Sequence, residues 1–366
     1  MRNSFRRCFK YALGFFVFIF ALSLIHWIGE GGFYRPGEVE AKITNETIIF
    51  NEETIALDKA NPQIRAVMAI QNRHTPKLLE IPEVVGTATG LTAAGRPAIL
   101  VLTRNIVRAG AVPESLEGMP VVVQVTGEIF SMKGRPPKND IDPTARFDRP
   151  VPIGVSTGNE GECSAGTIGA RVTDGINVYA LSNNHVYALE NIAAIGSNVL
   201  QPGLYDTNCI FDSGNIIVQL DAYEPINFGG LNYIDAAIAL SSKELLGRAT
   251  PANGYGTPKS ATVSASLGQA VQKYGRTTSL TKGIITGINA TVDVTYSSGT
   301  ARFVNQIVVS SARPFIKAGD SGSLLVTDPG RNPVGLLFAG SGNGKLAIAN
   351  PIDLVLERFD LAIDGE

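Results

Sequence analysis

Histidine is scarce in this chain: 366 residues carry only three, His26, His74 and His185. Base catalysis near neutral pH most often uses an imidazole, so the scarcity leaves very few positions for it. Cysteine is equally sparse, and Cys8, Cys163 and Cys209 show none of the close Cys or His pairings that zinc sites require. No metal is expected. An excess of basic residues is missing as well. The formal net charge is −2, and without Arg2, Arg6, Arg7 and Lys10 the remainder carries about −6, which argues against nucleic acid as a partner. A phosphate loop is also lacking. In Gly340-Ser-Gly-Asn-Gly-Lys345 the first glycine stands at the wrong distance, and Leu346 replaces the required hydroxyl residue, so the stretch reads as a hairpin turn. No cofactor is expected.

What the chain does have is Gly319-Asp320-Ser321-Gly322-Ser323-Leu324-Leu325, a hydroxyl bracketed by two glycines with an apolar strand following at once. Glycines permit a tight turn in which the N–H groups of Gly319 and Ser321 converge on a developing oxyanion, with Ser321 as nucleophile. An ordinary turn uses the same residues for purely conformational reasons. The histidine census separates the two readings. His26 lies in the N-terminal apolar segment and His74 after an expected helix, so only His185, in Leu-Ser-Asn-Asn-His185-Val, shares the C-terminal region with Ser321. Asp235 is an acid in an otherwise apolar run, Tyr233-Ile-Asp235-Ala-Ala-Ile-Ala-Leu240, and buried acids are seldom unpaired. The chain order His185, Asp235, Ser321 matches one of the three known orders of such a triad.

These three segments resemble the trypsin-like serine proteases. Val84-Val-Gly-Thr-Ala-Thr-Gly90, Ala165-Gly-Thr-Ile-Gly-Ala-Arg171 and Ala349-Asn-Pro-Ile-Asp-Leu-Val-Leu356 are similar to the group of the plant narrow-leaf protein and its bacterial relatives. The resemblance runs roughly from Ile81 to Phe359. It implies a chymotrypsin-like pair of six-stranded β-barrels with the triad in the cleft between them. It also implies a side-chain pocket walled by Phe315 and by Phe338, Ala339 and Gly340, where no carboxylate stands to meet a lysine or arginine. The trypsin mode of activation is not implied. No Ile-Val-Gly-Gly-type start is present whose released amine would pair with Asp320, so the oxyanion turn must be held another way.

The basic residues at 2, 6, 7 and 10 precede Tyr11 to Ile28, an apolar run long enough to span a bilayer. The basic flank is expected to stay in the cytoplasm, which places the rest of the chain on the periplasmic or extracellular side. A cleaved signal peptide, with secretion, is the competing reading. Export permits a disulfide between Cys163 and Cys209, which flank His185, and two buried thiols are the alternative.

The remaining chain divides into a linker at 30–42, a small α/β domain at 43–130, a second linker at 131–152 and the protease domain at 153–366. Asn61-Pro62 marks a helix start and Thr75-Pro76 a stop. Many short β-branched runs after Gly154 favour a mainly β architecture, and Pro351 opens a terminal helix. The expected function is a membrane-anchored serine endopeptidase acting on protein or peptide substrates. A catalytically silent relative used for binding, or an esterase, remains open.

Overall fold

The computed structural model describes residues 56–131 and 141–366. Tyr11 to Ile28 and the linker 30–42 lie outside the described residues. Among the described residues no helix is long and apolar enough to cross a membrane. Short β-branched runs broken by Gly, Asn and Asp give twenty strands and three α-helices among the described residues, which are mainly β.

Two sheets organise the strands. In the larger one, Ala270–Gly275, Ser279–Tyr296, Gly299–Ser310, Leu346–Pro351, Pro333–Ser341 and Leu324–Thr327 pair in that order and return to the first strand. The cycle is a closed six-stranded barrel, which abolishes edges along most of its strands. Its interior is filled by apolar clusters that include Val292, Phe303 and Phe338, and Ile285, Ile307 and Leu337. The smaller sheet has eight strands, in the order Ala362–Ile363, Ala170–Thr173, Val178–Ser182, Ala237–Ser241, Ile216–Tyr223, Asn198–Leu200, Ser156–Asn159 and Gly166–Thr167. No strand pairing closes it among the described residues. Instead Ile168 and Gly169 join strands that stand near its opposite ends, and the Gly169 N–H donates to the Leu181 carbonyl at 2.8 Å.

The sequence suggests a separate α/β domain at 43–130. Helix Pro62–Leu79 and the strands Val84–Leu91, Pro97–Thr103 and Met119–Val125 are present. Val84–Leu91, however, pairs antiparallel with the barrel strand Ser279–Tyr296, setting Gly86 opposite Val292 and Thr89 opposite Ile288. The reason is burial. Seven of its eight residues are buried, so both faces need cover, and one helix can cover only one. Val85, Ala88, Leu100 and Leu102 therefore share a core cluster with Val292, Phe303 and Phe338.

Asn61 caps the helix as its sequence suggests, its Oδ1 accepting the N–H groups of Gln63 (2.9 Å) and Ile64 (3.3 Å). The expected stop at Thr75-Pro76 is corrected: the helix runs on to Leu79 with Pro76 inside it. Packing outweighs the lost bond here. Thr75 Oγ1 donates to the Gln71 carbonyl at 2.8 Å and meets Thr87 Oγ1 at 2.7 Å, while Thr89 Oγ1 donates to Gln71 Oε1 at 2.7 Å. His74 thus lies within the helix rather than after it. Its Nε2 pairs with Glu117 at 2.8 Å at the surface. The terminal helix spans Ile352–Phe359, with Pro351 at its N-cap and Val355 buried.

Candidate active site

Strand pairing brings the histidine and the acid together. Val178–Ser182 and Ala237–Ser241 are antiparallel neighbours, with Ala237 opposite Ser182. A residue just after the first strand and one just before the second must then lie at the same end. His185 sits in the short helix Asn184–Tyr187 after the first strand, and Asp235 precedes the second. His185 Nδ1 approaches Asp235 Oδ2 at 2.5 Å, and the His185 backbone N–H donates to Oδ1 at 3.3 Å. The carboxylate only accepts, so Nδ1 carries the proton and Nε2 is left to act as a base.

Two asparagines fix the acid's backbone. Asn183 Nδ2 donates to the Asp235 carbonyl at 2.7 Å and Asn350 Nδ2 at 3.1 Å, while Asn350 Oδ1 accepts the Asp235 N–H at 3.2 Å. Tyr296 Oη donates to Asp235 Oδ2 at 2.9 Å, and its ring stands edge-on to His185 with centroids 5.8 Å apart. Burial, and then Asp235 itself, push the Tyr296 hydroxyl well above its ordinary range, so it stays protonated and keeps donating.

Ser321 comes from the barrel, on the turn before Leu324–Thr327. Gly319 and Gly322 hold φ of 98° and 91°, a region in which side-chain-bearing residues are strained. A Cβ on Gly322 would also lie 2.2 Å from Ser182 Oγ, so this turn packs directly on the sheet that carries His185. Thr167 fastens the contact. Its N–H donates to the Ser321 carbonyl at 2.8 Å and its Oγ1 to the Gly319 carbonyl at 2.8 Å.

The peptide planes that carry the expected oxyanion donors are locked. Thr277 Oγ1 donates to the Ala318 carbonyl at 2.7 Å. Ser323 donates to the Asp320 carbonyl through its Oγ at 2.6 Å and its N–H at 3.0 Å. In a trans peptide the next N–H points opposite to the carbonyl, so the directions of the Gly319 and Ser321 N–H groups are set by these bonds.

Asp320 anchors this turn without a released amine. Its Oδ1 accepts the N–H groups of Thr277 (2.8 Å) and Thr278 (3.0 Å), and its Oδ2 accepts Thr278 Oγ1 (2.7 Å) and the Lys317 N–H (2.8 Å). Lys273 Nζ stands 3.7 Å from Oδ2, both side chains being fully buried. Burial lowers Lys273 from its ordinary 10.5 to about 8, against the opposing pull of Asp320. Arg276 completes the seam between the sheets, its Nε donating to Asp206 Oδ2 at 2.7 Å and its N–H to Thr167 Oγ1 at 3.0 Å.

The structure therefore brings His185 and Asp235 into direct contact and sets the Ser321 turn against the sheet they belong to. It does not form the serine–histidine hydrogen bond. Ser321 Oγ donates to the Phe338 carbonyl at 3.1 Å, and His185 Nε2 is a buried atom with no hydrogen-bond partner. Phe315 and Phe338, expected as pocket walls, have side chains fully buried in the barrel core, Phe338 packing on Phe303 with centroids 4.7 Å apart. The Cys163–Cys209 disulfide is formed, with Cα atoms 5.2 Å apart.

Several groups escaped the sequence reading: Thr167, Thr277, Thr278, Tyr296 and Lys273. None of them stands in an apolar run as Asp235 does, so no such signal marked them.

No family model matches the chain. Streptogrisin-A of Streptomyces griseus is 39% identical over 103 residues, which is 27% of this chain and 32% of that protein. The match thus spans about a third of the relative's length. Among solved structures, a glutamic-acid-specific serine protease is 23% identical with a TM-score of 0.44, covering 58% of this chain and 100% of that one. Protease A of Thermobifida fusca is 19% identical with a TM-score of 0.43 over 59% of this chain and 100% of its own. The chymotrypsin of Cellulomonas bogoriensis is 22% identical with a TM-score of 0.42 over 60% and 100%.

Proposed function

We propose that this chain is a serine endopeptidase of the trypsin-like class. The observation that carries the reading is the buried His185 Nδ1–Asp235 contact of 2.5 Å, which leaves Nε2 unpartnered, with the Gly-Asp-Ser-Gly turn packed against the sheet that leads to His185. In the reaction Ser321 Oγ leaves the Phe338 carbonyl and passes its proton to His185 Nε2 as it attacks the peptide carbonyl. Asp235, held by Tyr296 and the two asparagines, keeps the imidazole in the reactive tautomer and stabilises the imidazolium. The oxyanion takes the N–H groups of Gly319 and Ser321. His185 then protonates the leaving amine, and water hydrolyses the acyl-enzyme with His185 as base.

Within the class, the segments at 84–90, 165–171 and 349–356 support kinship with the narrow-leaf group. The first is the strand that joins the N-terminal segment to the barrel, and the second packs against Ser321. Small or medium apolar side chains before the scissile bond fit best. A lysine or arginine would enter without a carboxylate partner, costing several kcal/mol, and Lys273 Nζ already stands 5.9 Å from the Phe315 ring. The Cys163–Cys209 bond supports a site of action outside the cytoplasm. Tyr11 to Ile28 serves as the anchor in this reading.

A silent binding protein is the second reading, favoured by the Ser321 Oγ bond to Phe338 and the complete burial of Ser321. Peptide hydrolysis separates the two. Wild type should cleave a peptide library with an apolar preference, and Ser321→Ala or His185→Ala should lose on the order of 10⁶-fold in kcat. Equal cleavage by either variant would remove the triad assignment.

A further inference from the structure

Strand Pro333–Ser341 has a stretch of free edge beside the nucleophile, and the chain fills it with itself. Leu324–Thr327 pairs along this strand only as far as Leu336, while Leu346–Pro351 lines the other side up to Gly340. The edge beyond Leu337 is thereby left open next to Ser321, whose Oγ donates to the Phe338 carbonyl. Ile129–Ser131 takes that edge as an antiparallel strand, with Ile129 opposite Ser341, Phe130 opposite Gly340 and Ser131 opposite Ala339. The register runs from Ser341 toward Phe338. Ile129 is fully buried in the barrel core beside Phe338 and Tyr296, which anchors the strand. His185, Asp235 and Ser321 all have 0% exposure, so no substrate reaches them in this state.

We propose that Ile129–Ser131 is a built-in inhibitory strand, and that a substrate peptide binds as an antiparallel strand on residues 339–341 only after it has left. The inference rests on the serine endopeptidase reading. An extended peptide adding to an open sheet edge gains main-chain hydrogen bonds irrespective of its sequence, so an internal segment and a substrate compete for the same groups. The other pairing of Ile129–Ser131 is a single parallel one, Phe130 with Thr295 of Ser279–Tyr296, and an element this short is the kind that opens locally while the rest of the fold stays intact.

The test compares the full chain with Phe130→Pro and Ser131→Pro. Adjacent N–H groups of a strand face opposite sides, so one of the two prolines removes a donor toward Pro333–Ser341. Ile129→Ala is a milder variant that loosens the anchor and keeps every backbone donor. Each is assayed for folding by circular dichroism, for peptide hydrolysis, and for Ser321 labelling by a fluorophosphonate. The expected result is a rise in kcat/KM of at least tenfold in a proline variant, carried mainly by KM, with a smaller rise in Ile129→Ala and faster labelling in both. A synthetic Gly-Glu-Ile-Phe-Ser peptide should inhibit the activated variant competitively. Folded variants that cleave and label at the wild-type rate overturn the inhibitory strand and leave the protease reading standing. Absence of both labelling and cleavage in every form overturns the protease reading, and this inference with it.

Discussion

Asp235 carries its charge where no water reaches it, and donors from His185, Tyr296 and the backbone offset the loss of hydration. Tyr296 is the one that sequence could not announce, because a buried tyrosine in a strand looks like any other core residue. Its hydroxyl acts on the reaction only through Asp235. Tyr296→Phe should therefore lower kcat about 10- to 100-fold, the range for one hydrogen bond to a charged group, with KM unchanged and the fold retained. A change confined to KM would contradict the positioning role.

Lys273 gives a second prediction at this scale. Folded, its ammonium releases its proton near 8; unfolded, near the ordinary 10.5. Between those values the unfolded chain holds more protons, so stability must rise with pH across that window, and the burial penalty is fully present below it. Urea midpoints measured at pH 8 and pH 10 should show a rise in wild type that Lys273→Met reduces. An equal rise in the variant would assign the effect elsewhere. Asp320 keeps its backbone donors in that variant, so the oxyanion turn survives the substitution.

Elements were legible where their signals are local. The Asn61-Pro62 helix start and the helix after Pro351 follow from capping and turn residues. The Thr75-Pro76 stop misled because Gln71, Thr75 and the threonines of Val84–Leu91 hold the helix from outside it. The pairing of Val84–Leu91 with Ser279–Tyr296 was not legible either. Those strands are about 200 residues apart, and nothing local in either names its partner.

The disulfide acts at the scale of one element, closing a loop between residues 46 apart that contains His185. Replacing both cysteines by serine should cost roughly 3 to 4 kcal/mol in the chain-entropy model and lower the melting temperature. Thermal unfolding monitored by circular dichroism would show this. An unchanged melting temperature would mean that the loop is already ordered by its contacts with the barrel.

At the scale of the whole molecule, one closed barrel carries Ser321 and its anchored turn, a second sheet carries His185 and Asp235, and Thr167 and Arg276 fasten the two. Residues 56–131 extend the barrel sheet and end in the strand that occupies its open edge. The contact between His185 and Asp235 was foreshadowed in the sequence, because three histidines left one choice and Asp235 stood alone in an apolar run. The sealed state of the site was not readable, since it depends on a strand pairing more than 200 residues apart. The direct test of the central claim is incubation of the full chain with a fluorophosphonate, followed by mass spectrometry of the digested protein. The account predicts one adduct, on Ser321, formed slowly in wild type and abolished in His185→Ala. An adduct on another residue, or undiminished labelling of Ser321 without His185, would contradict it.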